Sequence, residues 1–220
     1  YSALIANTTG IQNTAVGSQA LDANTTANNN TAVGYDSMGA NTTGSSNVAV
    51  GYQALETNTT GTQNVAVGAE ALEQNVDGNY NTAVGFRALE ENTTADYNAA
   101  FGNNALAENT TGSQNTAVGT FALDNNTTAS NNSALGYNAL GANATGTKNV
   151  AVGAESLRSN TAHNNTALGY FTLYANTTGT QNVAVGSTAL DSNTTGSYNT
   201  AVGGNALHTN TDGVNNAAIF

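Results

Sequence analysis

The chain of 220 residues has no cysteine, no proline and no tryptophan, and only 8% of its residues are charged. Without cysteine there is neither a disulfide framework nor a thiolate metal site. Lysine and arginine number 3 against 14 aspartates and glutamates, a formal charge of −11. Nucleic acids and anionic membranes are bound through basic faces, so neither is expected as a partner. No run of 18 or more apolar residues is present, and no membrane insertion is expected. The chain opens on Tyr1 with no signal-like segment, which suggests a processed product or an excised piece of a longer protein. The two histidines, His163 and His208, stand at unrelated phases of the pattern described next, so they read as solvated surface residues and suggest no metal or triad.

What the chain has in abundance is repetition, the feature to find first. An Asn opens an N-T-T-G-like segment at Asn7, Asn24, Asn41 and onward to Asn210, a constant spacing except for one interval that is shorter by a single position. A second Asn, just before an A-V-G segment, recurs from Asn13 to Asn216, which places the short interval between Asn160 and Asn165. Thirteen such units account for residues 1–220 as a single repeat domain. Low charge with much Asn, Thr and Gly also suits disorder, but the apolar residues keep phase. Residue 15 and all its equivalents are Ala. The next position is a larger apolar residue (Val16, Val33, Phe101, Leu135, Ile219), and a Leu column runs from Leu4 to Leu207 with Met38 the one exception.

About three apolar side chains per unit cannot form a core alone, so units must stack as a solenoid. The N-T-A-V-G segment, β-branched at alternate sites, reads as a short parallel strand. Gly17 and its equivalents end it at a corner that only glycine tolerates. The variable residue 14 marks a less buried site on the side of residue 16. The constant Ala faces the other way, one side being the coil interior and the other open to cover by a second chain. Segments such as YQALET (52–57) and AEALEQ (69–74) are rich in helix formers. Strands stack about 4.8 Å apart and packed helices about 8–10 Å, which favours a corner or a single tight turn there. The expected fold class is all-β, a parallel β-solenoid of about thirteen 17-residue coils, with a strand plus a short helical turn per coil as the alternative.

The N-T-T-G link supplies a turn, and the two Asn columns imply amide ladders from coil to coil. Asn7, Asn24, Asn41, Asn58, Asn92, Asn109, Asn126, Asn143, Asn176 and Asn193 also satisfy N-x-[ST] and are candidate glycosylation sites. Asn75, Asn160 and Asn210 lack that pattern yet remain Asn, which favours the ladder. Glu56, Glu73 and Glu90 share a phase and stack about 4.8 Å apart, an exposed ladder from which no shifted acid is expected. Tyr35, Tyr52, Phe86, Tyr137 and Tyr170 form a broken aromatic stripe, read as packing or chain–chain contact ahead of a sugar platform. The calcium-solenoid nonapeptide, a P-loop and a G-x-G-x-x-G after a strand are all missing. No catalytic residue, cofactor or metal is expected, and the chain does not read as an enzyme.

The units Asn30–Gly44 (NTAVGYDSMGANTTG) and Asn47–Gly61 (NVAVGYQALETNTTG) resemble repeats of phage tail-fibre and bacterial surface proteins. More distantly, the Asn-led A-V-G strand is similar to that of trimeric autotransporter adhesin heads, whose repeat is shorter. The resemblance covers the whole chain and implies a parallel β-roll, often trimeric, that serves as an extracellular shaft or adhesive surface.

Aligned by phase, Phe220 takes the place of Gly17, and Tyr1 to Leu4 take those of Ser18 to Leu21. Tyr1, Leu4, Ile5, Ala218, Ile219 and Phe220 are therefore the candidate head-to-tail interface, since a solenoid end without a polar cap leaves strand edge and core open. The expected function is that of a filament or fibre subunit or shaft, extracellular or on a virion or cell surface. Its expected partner is itself, as homopolymer or homotrimer, and a cell-surface or glycan ligand is a further candidate. The alternative is an ice- or surface-binding solenoid that uses outward rows such as Thr25, Thr42 and Thr59.

Overall fold

The computed structural model describes residues 2–219. Thirteen strands of three residues lie side by side in chain order as one parallel sheet. They run from β1 (Thr14–Val16) through β9 (Val150–Val152) and β10 (Thr166–Leu168) to β13 (Ala217–Ile219). Thr14 pairs with Thr31 and Ala15 with Ala32, so each coil holds one repeat unit. Between β9 and β10 the step is shorter by one position, Val150 standing opposite Thr166, and the sheet continues in register. The fold is the parallel β-solenoid expected from the period.

The strand triplet alternates as its residue types require. Its central Ala points inward and is almost fully buried from Ala32 to Ala201, while the flanking Thr or Val and the larger apolar residue point out. About three apolar side chains per coil are hidden, and the structure settles which: the column led by Val16 is not among them but lies on the outer face of the sheet, with Val16, Phe101, Leu135 and Leu168 exposed. The core is built from Ala15, Ala20, Leu21 and their equivalents. Each buried Leu contributes about 2 kcal/mol, and the strand position that shares this core is Ala in every coil.

At the corner the Gly17 column has φ between 121° and 149°. A Cβ on Gly34 would fall 2.1 Å from the carbonyl oxygen of Gly51 in the next coil. Glycine is thus required both for its dihedral and for the close approach of neighbouring backbones.

Among the described residues no helical turn follows the corner, so the alternative fold is not adopted. Instead Gln19 (φ 62°) and Leu21 (φ 53°) are left-handed on either side of Ala20, and every complete coil repeats this alternation. The conformation turns backbone groups along the stack. The Gln19 N–H donates to Ser2 O at 2.9 Å in one neighbouring coil, and the Leu21 N–H to Ser37 O at 3.1 Å in the other. The Gln19 and Leu21 donors are thus satisfied by the flanking coils, while Ala20 N–H and Asn24 N–H close turns within the segment on Gly17 O (3.5 Å) and Leu21 O (3.2 Å).

Candidate functional site

Two amide ladders run through the interior beside the core, and they differ in chemistry. In the column led by Asn7, Asn58 Nδ2 donates to Asn41 Oδ1 at 2.8 Å and to Gly61 O at 3.1 Å. In the column led by Asn13, the Asn47 N–H donates to Asn30 Oδ1 at 2.9 Å, and Asn47 Nδ2 to the same Gly61 O at 2.8 Å. The first ladder links side chain to side chain, as expected. The second chiefly links side-chain oxygen to the backbone of the next coil, a role the sequence did not reveal. Both converge on one loop carbonyl, which uses two lone pairs.

The same geometry bears on the candidate glycosylation sites. Asn24, Asn41, Asn58, Asn92, Asn109, Asn126, Asn143, Asn176 and Asn193 are fully buried, with Nδ2 engaged in the ladder. Asn7 is half-buried and donates to Gly10 O at 3.0 Å. Asn75, without the acceptor pattern, makes the same bonds to Asn58 Oδ1 (2.8 Å) and Gly78 O (3.1 Å). Nothing the size of a sugar fits on these buried Nδ2 atoms in the folded coil, and the ladder accounts for the column.

The threonine rows are likewise committed to the stack. Thr25 Oγ1 donates to Thr42 O at 3.2 Å and Thr42 Oγ1 to Thr59 O at 3.0 Å. The neighbouring Thr26, Thr43 and Thr60 are the exposed ones.

Glu73 and Glu90 share the phase read from the sequence, and the structure adds Glu70, which brings three carboxylates within 4.8 Å of one another. Oxygen atoms so placed are able to share a cation, and Arg87 serves that purpose with Nε 2.6 Å from Glu70 and 3.6 Å from Glu90. Contrary to the expectation of an unshifted surface ladder, burial raises the carboxyls of Glu56, Glu73 and Glu90 above the ordinary range, seconded by Asp36 at Glu56 and by Glu70 at Glu73 and opposed by Arg87 at Glu90. Farther along, burial and then the charge of Glu108 push Asp124 up to about 6.

The histidines are partly structural. His163 Nδ1 accepts the Thr147 N–H at 2.9 Å, and His208 Nδ1 lies 2.5 Å from Asp191 Oδ1. His163 belongs to the short coil and stands where Ser45, Ser113 and Ser197 elsewhere accept the N–H of the preceding coil.

Of the candidate interface, Leu4 and Ile5 lie at one end of the stack and Ala218 and Ile219 at the other, with Ile5 68% and Ile219 77% exposed. Tyr1 and Phe220 lie outside the described residues. Tyr35 and Tyr52 of the aromatic stripe stack at 5.6 Å, and a second stack, Tyr80 on Tyr97 at 4.9 Å, occupies a different column that sequence reasoning did not single out. The outer face of the sheet, formed by the columns of Thr14 and Val16, carries no charged residue in any of the 13 coils. Comparison of the chain with protein-family models, with curated proteins and with solved structures gives no match.

Proposed function

We propose that this chain is a rod-like segment of a structural fibre, extracellular or on a virion or cell surface, that works by associating with copies of itself. The observation that carries the reading is the unbroken stack. The core columns, both amide ladders and the strand register repeat along the described chain and absorb even the one short coil without a break. Such a stack is a spacer of fixed pitch, about 60 Å for thirteen coils at 4.8 Å. Lateral contact is supported by the outer sheet face, a long uncharged stripe of Val, Thr, Leu and Phe on a molecule of charge −11. A second copy offers side chains at the same pitch and no opposing charge, as homodimeric or trimeric fibres require. Head-to-tail joining through Leu4, Ile5, Ala218 and Ile219, with Tyr1 and Phe220, belongs to the same proposal, since the terminal ladders are extended by any coil of this repeat, from the same chain or another. The role assigned is structural and non-catalytic, with adhesion as a further use.

Electron microscopy and analytical ultracentrifugation at about 20 μM, above the micromolar affinity of an ordinary interface, test the reading. We expect rods or bundles longer or heavier than one chain, and Val118→Asp, which places a charge on the sheet face, to shift them toward monomer. Monodisperse monomers of the unaltered protein overturn the reading. The committed hydroxyls of the Thr25 row weaken the ice-binding alternative, for which thermal hysteresis is the corresponding measurement.

A further inference from the structure

Five of the 14 aromatic residues gather on one flank within four coils, outside the core and away from the sheet face. Tyr137 meets Phe121 edge-on at 6.2 Å, Phe171 packs on Tyr170 at 4.4 Å, and Tyr174 stacks on Phe171 at 4.6 Å. Between the two groups lies the coil of Ala154, whose side chain ends at Cβ. A low band of surface therefore separates Tyr137 from Tyr170, which are 52% and 57% exposed and two coil steps, about 10 Å, apart.

The band has a polar rim. Arg158 Nε lies 3.2 Å from Glu155 Oε2, and Asn138 Nδ2 reaches the same carboxylate at 3.3 Å. Arg158 Nη1 donates to the Tyr174 hydroxyl at 2.7 Å. Five coils earlier the aromatic column recurs as Tyr52, Ala69 and Phe86 with Gln53, Glu70 and Arg87 beside it; Arg87 there stands at the phase of Phe171 rather than of Arg158, its Nε 2.6 Å from Glu70, in a more acidic setting with Glu73 and Glu90. There the guanidinium also lies over the Phe86 ring, 5.2 Å from its centroid.

We propose that these two places, and foremost the one over Ala154, bind a neutral sugar ring of a polysaccharide or glycan. An aromatic contact needs about 3.5–4 Å on each side, so a coil-to-coil spacing of about 10 Å suits one ring-thick ligand between the side chains of Tyr137 and Tyr170. At its edge the Asn138–Glu155–Arg158 group offers donors and acceptors together, which suits hydroxyl groups. The ion pair is internally neutral and the molecule is acidic, so a polyanion is disfavoured. A protein partner needs about 800 Å² on each side, more than one low band two coils tall supplies. A long saccharide that reaches both places gains avidity from the second. The inference is independent of the fibre reading.

The test is saturation-transfer NMR on the whole protein with maltohexaose, cellohexaose, chitohexaose, xylohexaose and mannohexaose as probes, each at about 5 mM to detect millimolar binding. We expect at least one hexaose to bind, Tyr137→Ala and Tyr170→Ala each to weaken it about 10-fold, and Tyr97→Ala, in the other aromatic column, to leave it unchanged. Failure of all five probes to bind, or binding indifferent to the Tyr137 and Tyr170 substitutions, overturns the proposal. The same variants are examined by ultracentrifugation. An unchanged assembly state keeps the site distinct from chain–chain contact, and a changed one identifies the cluster as part of that contact and also overturns the proposal.

Discussion

Leucine, replaced once by Met38, sits in the left-handed region of backbone space in every coil, with φ between 50° and 57° along the column. That conformation is uncommon for any residue with a side chain and a true outlier for one branched at Cβ. The column accordingly holds Leu twelve times and Met once, never Val or Ile, although Val is plentiful elsewhere. The column of Gln12, also left-handed, contains no β-branched residue either, and that of Gln19 contains only Thr188. Such backbone strain costs about 1–3 kcal/mol per residue and persists because the neighbouring coils fix it. We expect Leu89→Met to leave stability nearly unchanged. Leu89→Ile, close to neutral by volume alone, is expected to lose about 2–3 kcal/mol in chemical denaturation; equal effects of the two would show that the backbone tolerates branching there. The Leu periodicity was legible in the sequence, and so was its burial. The reason for Leu rather than Ile was not, because residues unbranched at Cβ are also the good helix formers, and composition alone does not separate the two uses.

At the scale of the element, the strand and its glycine corner were legible because a period of 2 and a Gly recurring at one phase each have one local explanation. The segment after the corner was not. Its conformation depends on donors such as the Gln19 and Leu21 N–H groups, which bond to the coils on either side, a full repeat away in the chain, and no window within one coil contains that information. The two Asn columns looked equivalent for the same reason, and only the structure divides them into a side-chain ladder and a backbone clasp. The short coil shows how tightly the ladder is kept. Losing one residue between Asn160 and Asn165 leaves Asn160 Nδ2 bonded to Ala162 O at 2.8 Å, and His163 supplies the acceptor that serine supplies elsewhere. His163→Ser is therefore expected to preserve protection of the Thr147 amide in hydrogen exchange, whereas His163→Ala, which removes the acceptor, speeds its exchange severalfold. Identical protection in the two variants would assign the bond no role.

For the whole molecule, the solenoid followed from the period, since a unit too small for its own core must share one with its neighbours. Which apolar column faced outward did not follow, because Ala15 and Val16 carry equally regular signals and only the width of the coil decides between them. Ten of the 14 acidic residues fall in residues 1–110, and several are drawn partly into the flank. Asp124, displaced upward to about 6 from the ordinary 3.8, holds its proton more tightly folded than unfolded, and Glu56, Glu73 and Glu90 move in the same direction. A raised carboxyl adds stability when protonated, so the contribution is present below the unfolded value and is lost as pH rises through the folded one. Two units are worth about 3 kcal/mol at most, and solvent screening of a half-buried group lowers this to about 1 kcal/mol. Tm is therefore expected to rise from about pH 7.5 to about pH 4.5, the reverse of ordinary acid denaturation, and Asp124→Asn to flatten part of that rise. A Tm that falls over the same interval would contradict it.

The one shortened coil bears on how such a chain changes over evolutionary time. Its missing residue is taken from the outward tip of the loop, beside Thr161, while the inner circuit from strand to corner to amide keeps its full contour. The circumference facing the axis is thus the constant gauge, and the tip is slack. Lengthening, trimming or grafting at any tip alters the outline of a single layer and leaves the layers above and below undisturbed.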